Sequence, residues 1–356
     1  MKRIILLTDS LTSGGAQRQI VGLAKLLHDA GYTVKVIYYH QIEFYKPFLD
    51  QNGVSNELVL GADDPKRRIF RIAKALKCFN PDVVISYLDT PNIIACLLRL
   101  LGLRYKLIVS ERNTTQRLNI KEKIKFHLMR WANVIVPNSF SQEKFIKDNY
   151  PSLSSKVVTI TNFVDTNYFT PNERQYTEIC RIISVARVSE QKNTLRFLQA
   201  LKILKDEGFS FHVDWYGYSN QSYLDECEKY LEDNNLSKYF TFHRPTSDIV
   251  SKYNENDLFV LPSIYEGFPN VVCEAMSCGM PILCGNICDN SLIVADKVNG
   301  YLFNPYQVED IVDKLKSFML LSSHEKITMG SKSRQMSLEK FSSESFRKKY
   351  IDLIEG

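Results

Sequence analysis

The chain alternates short apolar runs with longer stretches in which apolar residues recur every three or four positions. Runs of about four to eight apolar residues are typical of buried strands, and the longer spacing is typical of helices that bury one face. When both patterns alternate along a whole chain, they predict parallel sheets covered by helices. We therefore predict an α/β fold.

The apolar runs predict the strands of two sheets. In the first half they cover Arg3 to Thr8, Thr33 to Tyr39, Asp82 to Tyr87, Lys106 to Ser110, Val134 to Pro137 and Val157 to Ile160. In the second half they cover Cys180 to Ala186, Phe211 to Tyr216, Tyr239 to His243, Leu258 to Leu261, Ile282 to Cys284 and Tyr301 to Phe303. A helix is predicted over Ala16 to Ala30, and Gly31 follows it in the position that a helix C-terminus favours.

A chain of 356 residues is long enough for two domains of about 150 to 180 residues each. Between the two series of strands lies the polar, turn-rich stretch TNFVDTNYFTPNERQYTE. We predict an N-terminal Rossmann-like domain over 1–168, a C-terminal Rossmann-like domain over 169–340, and a helix over 341–356 that caps one of them, with a return to the N-terminal domain as one option. The two domains are expected to face each other across a cleft, because ligands of such sheets bind beyond the carboxyl ends of the strands.

Composition excludes several classes of protein. With 44% hydrophobic and 24% charged residues, the chain is typical of a globular protein, and nothing in it resembles a nucleic-acid-binding module. The longest apolar run, Asn92 to Leu103, is interrupted by Arg99 and is shorter than the roughly 20 residues that span a bilayer. The start MKRIILLTDS predicts a first strand and not a signal peptide. We expect a cytoplasmic protein with no nucleic-acid partner.

The net charge of +5 is mild, but basic residues are concentrated in the first half of the chain. They are Arg99, Arg104, Lys106, Arg112, Arg117, Lys121, Lys123, Lys125 and Arg130. Isoleucine, leucine, Phe126 and Trp131 lie between them, so the segment fits an amphipathic surface on anionic lipid. A solvated basic face over an ordinary core explains the same residues equally well. The first interpretation predicts peripheral attachment to the inner face of the plasma membrane.

Neither the cysteines nor the histidines indicate a metal site. The eight cysteines contain no C-x-x-C pair, and most lie in apolar patterns, which favours buried, reduced thiols over disulfides. The six histidines are scattered, and no D-x-D sequence occurs. We therefore expect no protein-held metal and no bound cofactor.

The segment YEGFPNVVCEAMSCGMPIL combines two carboxylates with the start of a helix. Glu266 and Glu274 lie eight positions apart; Asn270 is a suitable N-cap for a helix over Val271 to Ser277, and Gly279 ends it. A helix that opens after such a turn presents free backbone N–H groups and a partial positive charge, which favours a phosphate.

Two carboxylates beside a phosphate would repel it, so they are expected to bind something neutral. Sugar hydroxyls fit, because ionised carboxylates accept hydrogen bonds strongly. The eight-residue separation of the two carboxylates predicts that one contacts a transferred sugar and the other the ribose of a nucleotide. The simpler alternatives are a first-turn glutamate that favours the helix dipole, for Glu274, and a solvated turn residue, for Glu266.

The stretch IISVARVSEQKN adds cations to the same predicted sheet edge. It ends a strand and places Arg187 and Lys192 where a diphosphate would need two positive charges. Each charge-assisted hydrogen bond could contribute about 1.5–3 kcal/mol. Arginine and lysine after a strand are usually solvated. The occurrence of this pair together with Glu266 and Glu274 is much less probable by chance than the pair alone.

In this combination the chain resembles the retaining, nucleotide-sugar-dependent glycosyltransferases of the two-Rossmann-domain architecture (GT-B), family 4, of the kind that assemble bacterial surface glycans. The resemblance covers the whole chain. SGGAQRQIVGLAKLL is similar to the N-terminal loop and helix of the family, SVARVSEQKN to its diphosphate-binding strand end, EGFPNVVCE to its two-glutamate signature and NGYLF to its late Asn-Gly turn.

The resemblance implies roles for particular residues. Glu266 would contact donor-sugar hydroxyls, Glu274 the ribose, and Arg187 and Lys192 the diphosphate. The Gly14–Gly15 loop would approach the diphosphate from the other domain, where missing side chains permit close backbone contact. The donor cradle would be completed by backbone N–H groups of Phe268, Asn270 and Val271.

The implied function is transfer of a sugar from a nucleotide diphosphate sugar, with UDP the expected nucleotide, to a glycan acceptor. The resemblance also implies retention of anomeric configuration and independence of metal. It further implies a polyprenyl-diphosphate-linked acceptor, a role in capsule or O-antigen synthesis, and hexosyl or N-acetylhexosaminyl specificity. Two alternatives stay open, namely a nucleotide-sugar epimerase of the same architecture and a non-catalytic sugar-nucleotide-binding partner of a membrane glycan complex. A nicotinamide-dependent dehydrogenase is disfavoured, because the first loop, LTSGGAQRQ, lacks G-x-G-x-x-G.

The chain departs from the family pattern in two places. Many members carry an N-domain histidine near the sugar, but the matching stretch is VSERNT, so Glu111 or Arg112 stands there. CDNSLIVAD replaces a common Gly-Gly-x-x-Glu pattern in the second half. Asp89, in SYLDTPN, could hold an acceptor hydroxyl, or it could cap the helix that begins near Pro91.

Overall fold

A computed structural model describes residues 1–112, 115, 119–218 and 221–356. The chain divides into two compact units, of which the first combines residues 1–163 with 343–356 and the second spans 164–342. Each unit contains its own six-stranded sheet. Arg117, one of the basic residues noted above, lies outside the described residues.

The described part of the first unit contains six strands and seven α-helices. The strands are β1 (Arg3–Leu7), β2 (Thr33–Tyr38), β3 (Ser55–Leu58), β4 (Val83–Tyr87), β5 (Lys106–Glu111) and β6 (Val134–Pro137). The helices are α1 (Gly15–Asp29), α2 (Lys46–Gln51), α3 (Pro65–Phe79), α4 (Asp89–Leu100), α5 (Ile120–Leu128), α6 (Phe140–Asn149) and the C-terminal α14 (Ser343–Glu355). Short 3-10 turns cover Met129–Trp131 and Pro151–Lys156.

All neighbouring strands of this sheet are parallel, in the order β3-β2-β1-β4-β5-β6. The chain reverses its direction of progress across the sheet between β1 and β4, which is the Rossmann arrangement, and the predicted α/β fold is confirmed here. Buried side chains of α3, α4 and α5 pack on one face of the sheet, and those of α1, α2 and α14 pack on the other.

The prediction of a strand over Val157 to Ile160 is wrong, and β3 was missed. The N–H groups of Val158 and Ile160 donate to the carbonyls of Ile135 and Pro137 on β6. Pro137 has no N–H to donate in return, so a single bridge forms where a parallel ladder would need reciprocal bonds. β3 reads SNEL, an edge strand whose half-buried polar residues give no apolar run.

The second unit contains the other six strands. They are β7 (Cys180–Val185), β8 (Phe211–Tyr216), β9 (Phe240–His243), β10 (Leu258–Leu261), β11 (Ile282–Gly285) and β12 (Gly300–Phe303). Its helices within the described residues are α7 (Thr194–Asp206), α8 (Gln221–Asp233), α9 (Ile249–Glu255), α10 (Asn270–Ser277), α11 (Asn290–Ile293), α12 (Val308–Met319) and α13 (Ser323–Phe341), with a 3-10 turn over Glu190–Lys192.

The second sheet has the order β12-β11-β10-β7-β8-β9 and is parallel throughout. Its first strand again lies centrally, so the order repeats that of the first sheet. All six strands predicted for this half are confirmed, with ends shifted by one residue at most. Buried residues of α7, α8 and α12 cover one face, and those of α9, α10 and α11 cover the other.

Most cysteines belong to these cores. All eight are free thiols, and Cys96, Cys180, Cys227, Cys273, Cys278 and Cys284 are buried. Among the helices of the described ranges, none carries an apolar stretch long enough to traverse a bilayer.

Candidate functional site

The carboxyl ends of β7 and β10 lie side by side, because the two strands pair directly through Ile182 with Leu258 and Ile183 with Phe259. The chain leaving β7 forms the 3-10 turn that ends at Lys192, and the chain leaving β10 leads to Glu266. The fold therefore brings both predicted site segments to one edge of the second sheet.

Lys192 and Glu266 form an ion pair at this edge. The Lys192 Nζ donates a hydrogen bond to Glu266 Oε1 at 2.5 Å, across 74 positions of sequence. Their side chains are only 13% and 9% exposed, so the pair is mostly withdrawn from water. A pair in this setting is stronger than a surface ion pair, since water screens it less.

Asn193 holds the turn that carries Lys192. Its backbone is left-handed, with φ of 60°, and its buried side-chain amide donates to Pro262 O at 3.1 Å and to Pro305 O at 2.7 Å. One side chain thus ties the loop after β7 to the loops after β10 and β12. The sequence analysis missed this residue, although asparagine after a turn is a known signal for left-handed backbone.

Arg187 lies just beyond the end of β7 and is exposed. Within the described residues it has no hydrogen-bond or ion-pair partner. The backbone just before Arg187 is held in place, because the Trp215 indole Nε1 donates to Ala186 O at 2.8 Å. The guanidinium is therefore available to an anion at the same edge.

Gly217, just after β8, allows the backbone at the end of β7 to pass close beside it. A Cβ at this position would meet Ala186 O at 2.0 Å and the Arg187 N atom at 3.2 Å. We expect Gly217→Ala to shift the backbone that carries Arg187, to destabilise the protein by about 1–3 kcal/mol and to weaken nucleotide binding. Urea unfolding and nucleotide-dependent melting measure the two effects.

Gly208→Ala is the matched control for that substitution. Gly208 differs from Gly217 in having a left-handed backbone, with φ of +85°, and no atom lies within 4 Å of its would-be Cβ. It should lose stability through backbone strain alone and keep its nucleotide response. Equal nucleotide responses in the two variants would contradict the proposed link to Arg187.

Helix α10 begins one residue earlier than predicted. Pro269 occupies the N-cap position and Asn270 is the first helical residue, so the prediction of Asn270 as N-cap is wrong. The reason is local: the Asn270 N–H donates to Phe268 O at 3.0 Å in a tight turn over the proline. Of the three backbone N–H groups predicted to form a cradle, that of Asn270 is thus used within the turn. For those of Phe268 and Val271, the described part of the chain offers no acceptor.

The end of α10 matches the prediction. Gly279 follows the helix with φ of +67°. The Gly279 N–H donates to Met276 O and the Met280 N–H to Ala275 O, which is a Schellman motif. Arg334 and Arg174 donate further hydrogen bonds to Ser277 O and Gly279 O. Tight closure at this end holds the opposite, N-terminal end of the helix in place.

Glu274 lies within α10 and is 4% exposed. Its Oε2 accepts a hydrogen bond of 3.3 Å from the hydroxyl of Tyr253, a fully buried residue of α9. The interpretation of Glu274 as a helix-dipole residue is weakened, because it lies in the middle of the helix and α10 has no acidic residue in its first turn. Tyr253 had no signal in the sequence, since tyrosines in apolar patterns are most often core.

The departure CDNSLIVAD forms the loop after β11 and the short helix α11. Cys288 has a left-handed backbone with φ of 45°, and its thiol lies beside the backbone N–H of Glu266. The Asn290 amide donates to Gly285 O at 2.8 Å. This loop thus lies next to Glu266, the position expected of a segment that helps to select the sugar.

In the first unit, the Gly14–Gly15 loop leads from β1 into α1. Gly14 is the N-cap, and Gly15 is the first helical residue. A Cβ on Gly14 would meet Gln17 Oε1 at 2.4 Å, and the Gln17 amide donates to Asp9 Oδ1 at 3.1 Å. The loop therefore presents backbone at a helix N-terminus. Its contact with a diphosphate stays a prediction.

Asp89 and Glu111 belong to a buried cluster around Lys125. The Lys125 Nζ lies 3.1 Å from Asp89 Oδ1, 2.8 Å from Glu111 Oε2 and 2.7 Å from Glu122 Oε2. Asn92 donates to Glu111 Oε1 at 3.2 Å. Burial raises the pKa of Glu111, and the ammonium opposes part of that rise.

This arrangement corrects two expectations. Asp89 is the first residue of α4 and makes no capping bond, because Leu88 occupies the N-cap position; the capping interpretation is wrong. Lys125 and Phe126 are buried, so they are not part of a basic, amphipathic surface. Asp89 is the more accessible of the two predicted contact residues, with a side chain 27% exposed against 0% for Glu111.

Arg112 is engaged with the C-terminal helix of its own unit. Its guanidinium donates to Asn162 Oδ1 at 2.6 Å and to the Tyr350 hydroxyl at 3.0 Å, and it lies 4.0 Å from the centre of the Tyr87 ring. These contacts hold α14 on the sheet. They leave Arg112 8% exposed, which disfavours a direct contact with a sugar.

Two family models match adjacent parts of the chain. "Glycosyltransferase Family 4" matches residues 13–168, and "Glycosyl transferases group 1" matches residues 171–336. Among the described residues, no group of three histidine, cysteine, aspartate or glutamate side chains could hold a metal ion.

Relatives and solved structures are similar over long stretches. An α-1,4-N-acetyl-D-galactosaminyltransferase of Campylobacter jejuni, named for a PP-undecaprenol-linked acceptor, is 26% identical over 78% of this chain and 77% of its own length. A UDP-Gal:α-D-GlcNAc-diphosphoundecaprenol α-1,3-galactosyltransferase of Escherichia coli is 27% identical over 51% of this chain and 43% of its own. The crystal structure of Anabaena HepE with UDP-glucose has a TM-score of 0.86 at 16% identity and covers both chains fully, at 100% each.

Two Rossmann-like domains, matched along almost the whole chain by these models, define a glycosyltransferase of the GT-B architecture. The chain belongs to glycosyltransferase family 4.

Proposed function

We propose that the protein transfers a sugar from a UDP-sugar to a lipid-linked glycan, with retention of anomeric configuration. The observation that carries the proposal is the nearly buried pair of Lys192 and Glu266 at the carboxyl edge of the second sheet. A cation and a carboxylate side by side match a ligand that presents a phosphate next to a sugar hydroxyl.

Each site residue has a distinct role in this proposal. Lys192 and Arg187 bind the diphosphate, Glu266 accepts hydrogen bonds from hydroxyls of the donor sugar, and Glu274 accepts them from the ribose, oriented by Tyr253. Backbone N–H groups at the start of α10 face the phosphates. In the absence of ligand the Lys192–Glu266 pair keeps both side chains in place, so little ordering is needed on binding.

The reaction follows from these roles. The bond between the anomeric carbon and the β-phosphate oxygen breaks, the acceptor oxygen bonds to that carbon on the same face, and the acceptor proton passes to the leaving diphosphate. Lys192, Arg187 and the start of α10 stabilise the negative charge that grows on the leaving group. This chemistry requires no metal from the protein, in keeping with the absence of D-x-D from the sequence.

The acceptor class rests on the relatives from Campylobacter jejuni and Escherichia coli, both named for undecaprenol-linked glycans. The donor is a UDP-hexose or a UDP-N-acetylhexosamine, because the relative from Escherichia coli is named for UDP-Gal and the one from Campylobacter jejuni for N-acetyl-D-galactosamine transfer. Such an acceptor places the enzyme at a membrane, so peripheral attachment to anionic lipid is part of the proposal.

A melting experiment tests the donor. We expect UDP to raise the melting temperature in the presence of a chelator, because a ligand that binds only the folded state stabilises it by about 2.7 kcal/mol at 100-fold excess over Kd. GDP and ADP are the matched controls. Stabilisation by GDP alone would overturn the choice of UDP, and stabilisation that disappears with chelator would overturn metal independence.

A product assay separates this proposal from its two alternatives. UDP-sugars are incubated with and without an undecaprenol-diphosphate-linked acceptor, and glycan and nucleotide products are analysed. Transfer to the lipid with an unchanged anomeric centre is expected. An isomerised donor formed without acceptor would favour the epimerase, and saturable UDP-sugar binding without transfer would favour the non-catalytic partner.

A further inference from the structure

Helix α3 presents an unusually basic outer face. It spans Pro65–Phe79 and contains six lysines or arginines but no aspartate or glutamate. Ile72 and Leu76 are buried against the sheet, and Ala73, Ala75 and Phe79 are half-buried beside them, so the opposite side of the helix faces away from the core. The exposed cations are Lys66, Arg67, Arg71, Lys74 and Lys77.

These cations are hardly neutralised by the protein. Arg67 has an ion pair of 3.6 Å with Asp64, the N-cap of the helix. Within the described residues, Lys66, Arg71, Lys74 and Lys77 have no acidic partner. Four uncompensated charges on about three turns of one helix create a strong positive potential, which favours an extended anionic partner.

An exposed aromatic side chain lies among these cations. Phe70 is 71% exposed, and it lies three positions after Arg67 and four before Lys74, so the three share one stripe of the helix. Beside it lies a surface cavity of about 400 Å³, lined by Phe70, Ala73, Lys74, Lys77 and Cys78. An exposed phenylalanine ringed by lysines fits a surface where charged headgroups lie above hydrocarbon.

Helix α5 lies on the same face of the first sheet as α3, and α4 contacts both helices. On α5 the residues Ile120 and Ile124 are 78% and 53% exposed. Lys121 and Lys123 are exposed beside them. The nearby Glu122 carboxylate pairs with buried Lys125, which reduces its effect on this charge. Both helices thus add cations and apolar side chains to one side of the unit.

We propose that the outer faces of α3 and α5 form a docking surface for an anionic lipid bilayer, with Phe70, Ile120 and Ile124 entering the interface. Charge complementarity selects the partner, and the exposed apolar side chains distinguish a bilayer from a soluble polyanion. This inference deepens the proposed function, because docking would bring the enzyme to a lipid-linked acceptor. It does not depend on the identity of the sugar.

Vesicle sedimentation tests the surface. The full chain is mixed with vesicles of phosphatidylcholine alone or with phosphatidylglycerol added, at low and high salt. Salt-sensitive binding to the anionic vesicles alone is expected. Lys74→Glu with Lys77→Glu should lower the partition coefficient at least about thirty-fold, at about 1 kcal/mol per lysine.

Two comparisons make the result specific. Lys348→Glu with Lys349→Glu, a matched change of two exposed lysines on α14, should bind vesicles as the parent does. Phe70→Ser should weaken vesicle binding but leave binding to soluble polyphosphate unchanged. Equal loss in both double variants, or a Phe70→Ser variant that binds vesicles normally, would overturn the proposal.

A separate measurement keeps this inference distinct from the donor assignment. UDP-dependent melting of the α3 variants should equal that of the parent, because α3 is outside the proposed donor site. If vesicles bind but UDP does not, docking stands and the donor proposal fails. If UDP binds but anionic vesicles do not, only the docking surface is wrong.

Discussion

Lys192→Ala should lower kcat/KM by roughly 30- to 1000-fold, corresponding to about 2–4 kcal/mol of lost transition-state stabilisation. The physical reason is that the leaving diphosphate gains negative charge as the glycosidic bond breaks. Lys192 is held for this purpose by Asn193 and by its bond to Glu266. Steady-state kinetics with a UDP-sugar and a lipid-linked acceptor measure the effect.

The control for Lys192→Ala is Lys202→Ala. Lys202 is a lysine of α7 in the same unit; its side chain is 40% exposed and pairs with Asp206 on its own helix. Its removal should change kcat/KM less than twofold, since surface pairs contribute about 0–1 kcal/mol. Near-normal turnover of Lys192→Ala would count against the whole site assignment.

Loss of the lysine also leaves Glu266 without its cation, so stability must be measured separately from turnover. The double variant Lys192→Ala with Glu266→Gln removes the unpaired charge. We expect the double variant to regain stability relative to Lys192→Ala but to recover no activity. Recovery of activity together with stability would mean that Lys192 is a structural residue and does not act on the diphosphate.

Lys125→Met should destabilise the first unit by about 3–5 kcal/mol, because it leaves buried carboxylates without their shared cation. Lys125 contacts Asp89, Glu111 and Glu122, and its side chain is 3% exposed. Methionine preserves most of the volume, so the loss reports charge and not a cavity. Urea unfolding followed by circular dichroism measures the free energy of unfolding.

The pH dependence of this loss has a definite sign. Burial already raises the pKa of Glu111 above its ordinary 4.5, and Lys125 opposes the rise. Without Lys125 the folded-state pKa rises further, so the folded variant binds more protons than the unfolded chain above pH 4.5. Its stability then falls as pH rises, and the deficit against the parent should shrink as pH falls towards 4.5.

Lys123→Met is the matched control for the buried lysine. Lys123 lies two positions away on α5 and is exposed. Its replacement should change stability by less than about 0.5 kcal/mol and should show no added pH dependence. A similar loss in both variants, or a Lys125→Met deficit that does not change with pH, would contradict the account of the cluster.

Every strand of the second sheet could be predicted from the sequence, whereas in the first sheet one strand was missed and one predicted strand was wrong. In β7 to β12 apolar residues either run together or alternate with polar ones, so the local pattern carries the information. β3 carries half-buried polar residues at a sheet edge and leaves no such pattern. Val157 to Ile160 has the apolar pattern of a strand but lies beside Pro137, and only the pairing partner decides that a ladder cannot form.

The same division holds for the site. Motif spacing predicted Glu266, Glu274, Arg187 and Lys192 as site residues. The roles of Asn193 and Tyr253 depend on residues 69 positions and 21 positions away, and local sequence contains no record of such partners. Lys125 looked like one more surface cation, because Asp89 on α4 and Glu111 on β5 reach it only when these elements pack against α5.

The sequence by itself determined the two α/β halves, the residues that could hold a nucleotide sugar and the helix signals around Gly279. These depend on neighbours along the chain, and hydrophobic period and turn chemistry record them directly. The tertiary structure alone decided that Lys192 bonds to Glu266, that Lys125 is buried, and that α3 and α5 lie on one face of the first sheet. Parallel sheets create these contacts, because strands adjacent in space are far apart in sequence.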